Sequence, residues 1–250
     1  YRPGTRQLGT TVILAGLAML GPFSINTYLP SFGEMAVVLG TDRVALQQTV
    51  AIYFAAFAFM ALWHGTISDS FGRRRVVLAG LVVYALASLG CALATQVEQL
   101  WVLRALQGFS AGAGIVIGRA VVRDLHEGPR AQRMMSQVVL MFSIAPAVAP
   151  LVGGWLQVAL GWRSVFVFLC LLATSLLVAV FFGLPETLPA SQRHPFNPAG
   201  VLRGYASVLG NARFMSWALA YACMFGGFFL YVLSAPVFLM EHLGLGETDF

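Results

Sequence analysis

Long apolar runs separated by short polar and charged clusters dominate this chain. Seven of them reach the roughly 20 residues that a helix needs to cross a bilayer: Leu8–Phe32, Val44–Ile67, Val76–Val97, Val102–Val122, Met134–Leu160, Val165–Leu184 and Phe214–Met240. Strands of a membrane barrel would be about 10 residues long with alternating polarity. These runs are twice as long and apolar on all sides. The expected fold class is therefore all-α, a polytopic membrane helical bundle.

The connections alternate in size. Ala94–Leu100 and Gly161–Arg163 are short, and lie on one side. On the other side a tight hairpin spans Gly65–Arg75, a longer link spans Arg123–Arg133, and the longest segment, Pro185–Arg213, is rich in Pro, Asn and Arg. Such a segment reads as a boundary. The expected organisation is a six-helix bundle over residues 1–184, a linker over 185–213, and a seventh helix opening a second bundle over 214–250. Val201–Leu209 reads as a short helix lying on the membrane surface. Transporters are commonly built from repeated bundles. A lone seventh helix after a linker, in a chain that starts at Tyr1 and not Met, leads to the expectation that both ends are cut.

Composition agrees. Charged residues are 10% of the chain, against roughly 25% in a typical soluble domain. Hydrophobic residues are 58%, with a mean hydropathy of +0.79. All 15 basic residues are Arg. Eleven of them (Arg2, Arg6, Arg73, Arg74, Arg75, Arg123, Arg130, Arg133, Arg193, Arg203, Arg213) fall on one side of the spans, and only Arg43 and Arg163 on the other. The Arg-rich side is expected to be cytoplasmic, with the N-terminus there. This asymmetry accounts for the pI near 9.5 without a nucleic-acid partner; contact with anionic lipid headgroups suffices. Leu8–Leu20 resembles a signal-peptide core, but no small-residue cleavage site follows, so a retained span is preferred. Cys91, Cys170 and Cys223 fall within spans and read as buried apolar residues, with no disulfide or metal pattern.

Several positions carry candidate chemistry. The hairpin reads Gly65-Thr66-Ile67-Ser68-Asp69-Ser70-Phe71-Gly72-Arg73-Arg74-Arg75. Gly65 and Gly72 suit a tight turn, and Asp69 with the arginines suits a charged latch that holds one conformation. Topology alone is the plainer reading of three arginines. Arg104, inside a span, reads either as a functional charge facing a partner or as an Arg snorkelling to the interface near Glu98. Gln107 follows one turn later. Arg119 lies near the other end of that span. Gly108, Gly112, Gly114 and Gly118 have close-packing spacings. Pro146 and Pro150 predict a bend ahead of Gly153 and Gly154. In the first span Asn26 and Tyr28 place polar atoms in the membrane between Pro22 and Pro30. His64 reads as an interfacial hydrogen-bonder. Tyr221, Phe225, Phe228, Phe229 and Tyr231 either line a cavity or pack against lipid.

The hairpin resembles the signature G-x-x-x-D-x-x-G-R-[KR] of the major facilitator superfamily. Further resemblances follow in order: Arg104-Ala105-Leu106-Gln107-Gly108 to R-x-x-Q-G, Ala149-Pro150-Leu151-Val152-Gly153-Gly154 to the antiporter motif, and Leu184-Pro185-Glu186-Thr187-Leu188 to a common ending of the sixth span. Tyr28-Leu29-Pro30 and Val122-Arg123-Asp124-Leu125 with Arg133 and Ser136 are similar to the Bcr/CflA drug-resistance branch. The resemblance implies a cytoplasmic latch (Gly65, Asp69, Gly72, Arg73, Arg74, Arg75) and a cavity and proton relay (Asn26, Tyr28, Arg104, Gln107, Arg119). It also implies a sealing antiporter motif (Pro146, Pro150, Gly153, Gly154) and a charge network (Arg123, Asp124). The branch usually has Asp where this chain has Asn26, and no Asp or Glu lies inside any of the seven spans.

The implied function is export of small amphipathic drugs by alternating access, in exchange for protons across an inner membrane, by a protein that is a monomer when complete. A symporter or metabolite exporter is the alternative. No cofactor is expected beyond the proton gradient. A seven-span receptor fits the count but not the cytoplasmic N-terminus or the long linker. An enzyme would need a nucleophile, a carboxylate pair or a His cluster in the bilayer, or a phosphate loop, and none is visible.

Overall fold

The computed structural model describes the backbone of residues 3–237 and the side chains of residues 8–227 and 230. The described residues are mostly helical, with no strand among them. Helix α1 runs Pro3–Asn26, and a 3-10 turn at Leu29–Ser31 leads into the short α2, Phe32–Leu39. Then follow α3 (Arg43–Phe71), α4 (Arg73–Leu93), α5 (Val97–Leu125), α6 (Gly128–Leu160) and α7 (Arg163–Gly183). A 3-10 turn at Ala190–Gln192 precedes α8 (Pro198–Leu209) and α9 (Ala212–Val237).

Six stretches are long and apolar enough to cross a membrane, Leu8–Leu39, α3, α4, α5, α6 and α7. They coincide with the first six predicted runs. The seventh run is helical as α9, and its last residues, 238–240, lie outside the described residues. The surface of the bundle is apolar: Phe59, Leu86, Trp155, Val158 and Phe182 are all exposed. A water-soluble fold would not display so much contiguous hydrocarbon, whereas lipid tails accept it.

The chain divides into two units, Tyr1–His194 and Pro195–Phe250. The boundary lies later than the expected end of the first bundle at 184. Residues 185–194 fold back onto the end of the first unit that carries the α3–α4 turn, where Glu186 and Arg193 meet Gly72. In that unit α5 packs against α3 and α4, α4 against α7, and α1 against α6. Helices α1 and α5 are the most enclosed, while α3 and α6 leave most of their surface outside. In the second unit the short helix expected at Val201–Leu209 is present as α8, one turn longer at its start. Asn197 caps it through Gly200 N at 2.9 Å, as an N-cap Asn should. The Asn211 side chain accepts from Phe214 N at 3.1 Å, opening α9 two residues after α8 ends.

Two expectations are corrected. The first span does not continue as one helix to Phe32; α1 stops at Asn26. Pro30 disfavours helix at the residue before it and brings no N–H. Meanwhile the side chains of Ser24, Asn26 and Thr27 bond the carbonyls of Leu20 (2.7 Å), Pro22 (2.9 Å) and Phe23 (2.6 Å). The polar residues thus bond back to the carbonyl one turn earlier, which gives their own donors a partner inside the membrane. Gly65 is no turn residue either. It lies within α3, and a Cβ there would meet nothing within 4 Å. Gly72 alone makes the turn, with φ of +101°. At the opposite end of the bundle, the Glu34 carboxylate accepts from Trp162 N at 3.2 Å, and Arg163 Nη2 donates to Ala94 O at 3.0 Å. These bonds tie α2 to the α6–α7 turn, and that turn to the α4–α5 turn.

Candidate functional site

Two polar assemblies stand out in the first unit, one at the α3–α4 turn and one inside the bundle. The first is built around Arg73, the first residue of α4 and largely buried. Gly72 ends α3 by bonding Ser68 O at 3.0 Å, and its positive φ turns the chain so that α4 starts at once. The Arg73 guanidinium pairs with Asp69, donates from Nη1 to Ser68 Oγ at 2.7 Å, and donates from Nε to Asp124 Oδ2 at 3.2 Å. Its backbone N–H donates to Glu186 Oε1 at 2.8 Å. Thr187 Oγ1 donates to the same Asp124 oxygen at 2.9 Å, and Arg193 pairs with Glu186 at 3.8 Å. A helix N-terminus favours such nearby carboxylates.

The predicted latch residues separate here. Asp69, Gly72 and Arg73 join one network with Asp124. Arg74 lies to one side, with Nη2 bonded to Phe181 O and the guanidinium carbon 5.3 Å from the Phe181 ring centre. Arg75 and Arg123 are exposed, and Gly65 has no neighbour to position. Glu186, Thr187 and Arg193 are the members that the spacing of the hairpin did not reveal. Their one signal was the Pro185-Glu186-Thr187 ending, which gives no hint of a partner more than a hundred residues away.

Gly72 and Gly65 should therefore respond differently to alanine. A Cβ at Gly72 would stand 2.5 Å from Glu186 Oε2 and 3.0 Å from Arg193 Nη2, on a backbone that L residues rarely adopt. Gly72→Ala is expected to cost about 1–3 kcal/mol. Gly65→Ala is expected to gain about 0.5–1 kcal/mol, as in any open helix interior. Thermal unfolding of the two purified variants checks this, and equal shifts would reject it.

The second assembly lies within the membrane-spanning part. Arg104 has no exposed surface. It did not snorkel to the interface. Its guanidinium carbon sits 4.5 Å from the ring centres of both Tyr28 and Tyr53, a sandwich of two negative ring faces. Nη1 donates to Gln107 Oε1 at 2.8 Å, and Gln107 Nε2 donates to Ser88 Oγ at 2.7 Å. Ser88 Oγ donates to Tyr84 O at 2.8 Å, and the Tyr84 hydroxyl meets Ser24 Oγ. The Tyr28 hydroxyl shares a 2.9 Å bond with Thr49 Oγ1. The polar chain therefore spans α1, α3, α4 and α5. Of the residues grouped by resemblance, Tyr28, Arg104 and Gln107 come together. Tyr53, Tyr84, Ser88 and Thr49 were missed, because a single aromatic or hydroxyl within an apolar run looks like packing.

Asn26 is buried, and its Oδ1 has no hydrogen-bond partner. Arg119 is exposed on α5. His64 is buried against Gly112, whose added Cβ would stand 3.2 Å from the ring. Helix α6 runs through Pro146 and Pro150 without a break. Ala145, Ala149 and Gly153, four residues apart, are buried, and α6 packs against α1. A Cβ at Gly153 would overlap the carbonyl of Thr27, just where the first span breaks; one at Gly154 would meet nothing. Gly108 faces the Tyr53 carbonyl in the same backbone-tight way. On α9, Tyr221 and Phe225 stack at 6.0 Å; the side chains of Phe228, Phe229 and Tyr231 lie outside the described residues.

Comparison with known proteins gives a consistent picture. The model of the Major Facilitator Superfamily matches residues 12–250. The chain is 33% identical over 249 residues to the uncharacterized MFS-type transporter YdgK of Bacillus subtilis, covering 99% of this chain and 62% of that protein. It is 31% identical to the bicyclomycin resistance protein homolog of Haemophilus influenzae, covering 94% and 59%. It is 28% identical to multidrug resistance protein D of Escherichia coli, covering 97% and 60%. The chain thus spans about three fifths of the length of these relatives. In fold it resembles a bacterial homolog of the human lysosomal transporter Spinster, with a TM-score of 0.74 at 14% identity, covering 100% of this chain and 58% of that one. It also resembles the nucleoside transporter NupG, with a TM-score of 0.73 at 16% identity, covering 95% and 59%. A multi-pass membrane protein with this bundle and this match along nearly its whole length belongs to the major facilitator superfamily.

Proposed function

We propose that this chain supplies the first bundle of a drug exporter of the Bcr/CflA branch. It works by alternating access in an inner membrane, with its N-terminus in the cytoplasm and the complete protein acting as a monomer. The reading is that of a carrier: it forms and breaks no covalent bond in its substrate and binds no nucleic acid. The relatives named for resistance to bicyclomycin and to multiple drugs support export of small amphipathic compounds. The observation that carries the mechanism is the buried Arg104, held against the Tyr28 and Tyr53 rings and hydrogen-bonded through Gln107 to Ser88 of α4. Ionisable residues held inside a span mark substrate or proton routes. The Arg73 cluster is the latch: it joins the ends of α3, α4 and α5 to the segment after α7, and opening it frees that end to move.

Exchange for protons is the favoured coupling. Asn26 favours a second reading, a symporter or metabolite exporter of the same superfamily, because an amide cannot load a proton at that position. The test is drug accumulation in cells lacking their own exporters and expressing the full gene product. Lowered accumulation that a protonophore restores is the expected result. Accumulation unchanged by expression would reject the export reading, and export indifferent to the protonophore would reject proton coupling.

A further inference from the structure

We infer that the intramembrane site of this transporter discriminates by charge, admitting neutral and anionic amphiphiles and rejecting lipophilic cations. The inference rests on the export reading and adds the substrate class to it. Arg104 carries a full positive charge with no exposed surface. Among the described residues it has no carboxylate partner; the ion pairs there belong to Arg73 and Arg193. The seven apolar runs of this chain hold no Asp or Glu; the acidic residues of the helices, Glu34, Asp69, Glu98 and Asp124, lie towards their ends. Its neighbours are neutral: two tyrosine faces at 4.5 Å and the Gln107 carbonyl at 2.8 Å. Ring faces and an amide stabilise the cation without cancelling its charge.

Two guanidinium nitrogens, Nε and Nη2, have no hydrogen-bond acceptor. The donor capacity of Arg104 is therefore only partly used. Charge in a low-dielectric interior acts over a longer range than in water. An uncompensated cation in the bundle raises the potential along any path beside it, repelling cations and attracting anions. Asn26, buried at the end of α1, does not offset this. Its Nδ2 is taken by Pro22 O at 2.9 Å, and its Oδ1, an acceptor without a partner, carries no charge to cancel the cation.

Tetraphenylborate and tetraphenylphosphonium, nearly identical in shape and opposite in charge, separate charge from hydrophobicity. Binding of each ion to the full gene product in nanodiscs is measured by equilibrium dialysis, with empty nanodiscs as the blank. The expected result is binding of the borate at least about tenfold tighter than the phosphonium. Gln107→Glu places a carboxylate against Nη1 and should reduce that ratio to about twofold or less; Arg104→Gln, read in the same way, should do the same. Equal binding of the two ions, tighter binding of the phosphonium, binding of neither, or a ratio unchanged in both variants overturns the inference. Export of the neutral drug chloramphenicol, measured separately in cells, reports on the export reading alone.

Discussion

Gly153→Ala is expected to destabilise the first bundle by about 1–3 kcal/mol or more, while Gly154→Ala stays within about 0.5 kcal/mol of the parent. The two glycines are adjacent in sequence and belong to one motif. They differ in what they face. A methyl group at Gly153 would occupy the position of the Thr27 carbonyl, and at Gly154 it would occupy open space. A side chain in the way could rotate aside, but a backbone oxygen cannot. The contact lies just beyond the end of α1, where the Thr27 side chain is itself bonded to Phe23 O, so the clash can be relieved only by parting α6 from α1. The Tm of each purified variant, with size-exclusion profiles in detergent, checks the pair. Equal tolerance of both changes would show that the two helices do not meet this closely.

Arg73→Ala should abolish export and lower stability by about 1–3 kcal/mol, whereas Arg75→Ala should leave both nearly unchanged. Removing Arg73 leaves Asp69 and Asp124 without their shared cation and Ser68 without its donor. The penalty is set below that of a fully buried pair, because the Asp69 side chain is 45% exposed and water screens it in part. Arg73→Lys should recover little, since one ammonium cannot reach both carboxylates and the serine with the spread of a guanidinium. Arg75 is exposed, and its charge is one among eleven on that side, so orientation in the membrane survives its loss. Drug accumulation in cells, together with the amount of protein in the membrane fraction, separates a lost latch from lost insertion. Normal export by Arg73→Ala would remove the latch assignment.

These contrasts mark how far the residues could be read before the structure. The spans were legible because a helix in lipid must be apolar along its whole length, and the first six runs coincide with the six candidate spans. The break after Asn26 was less legible. Prolines announce a disturbance, but whether a helix bends or stops depends on the groups that satisfy its open carbonyls. Pro22, Pro146 and Pro150 lie within continuous helices, whereas Pro30 lies in the 3-10 turn beyond the end of α1. Motif spacing pointed to the right neighbourhoods and could not rank residues within them. Gly65 and Gly72, Gly153 and Gly154, Arg73 and Arg75 look alike in one dimension, and only the opposing surface distinguishes them. Arg104 was conspicuous as a charge among apolar residues. The tyrosines enclosing it were not, since Tyr53 and Tyr84 sit in runs where an aromatic ring needs no explanation.

The return of residues 185–194 to the first unit has a consequence for biogenesis. Glu186 and Arg193 crowd Gly72, and Glu186 binds the backbone of Arg73, yet they are synthesised more than a hundred residues later. All six spans can be inserted while the start of α4 still lacks its carboxylate. This face of the bundle is completed only when the linker has left the ribosome, by which time the following helix is itself being made. Translation order thus makes this cluster one of the last parts of the bundle to mature, so a nascent chain stalled before Glu186 would hold six inserted helices with an unfastened end.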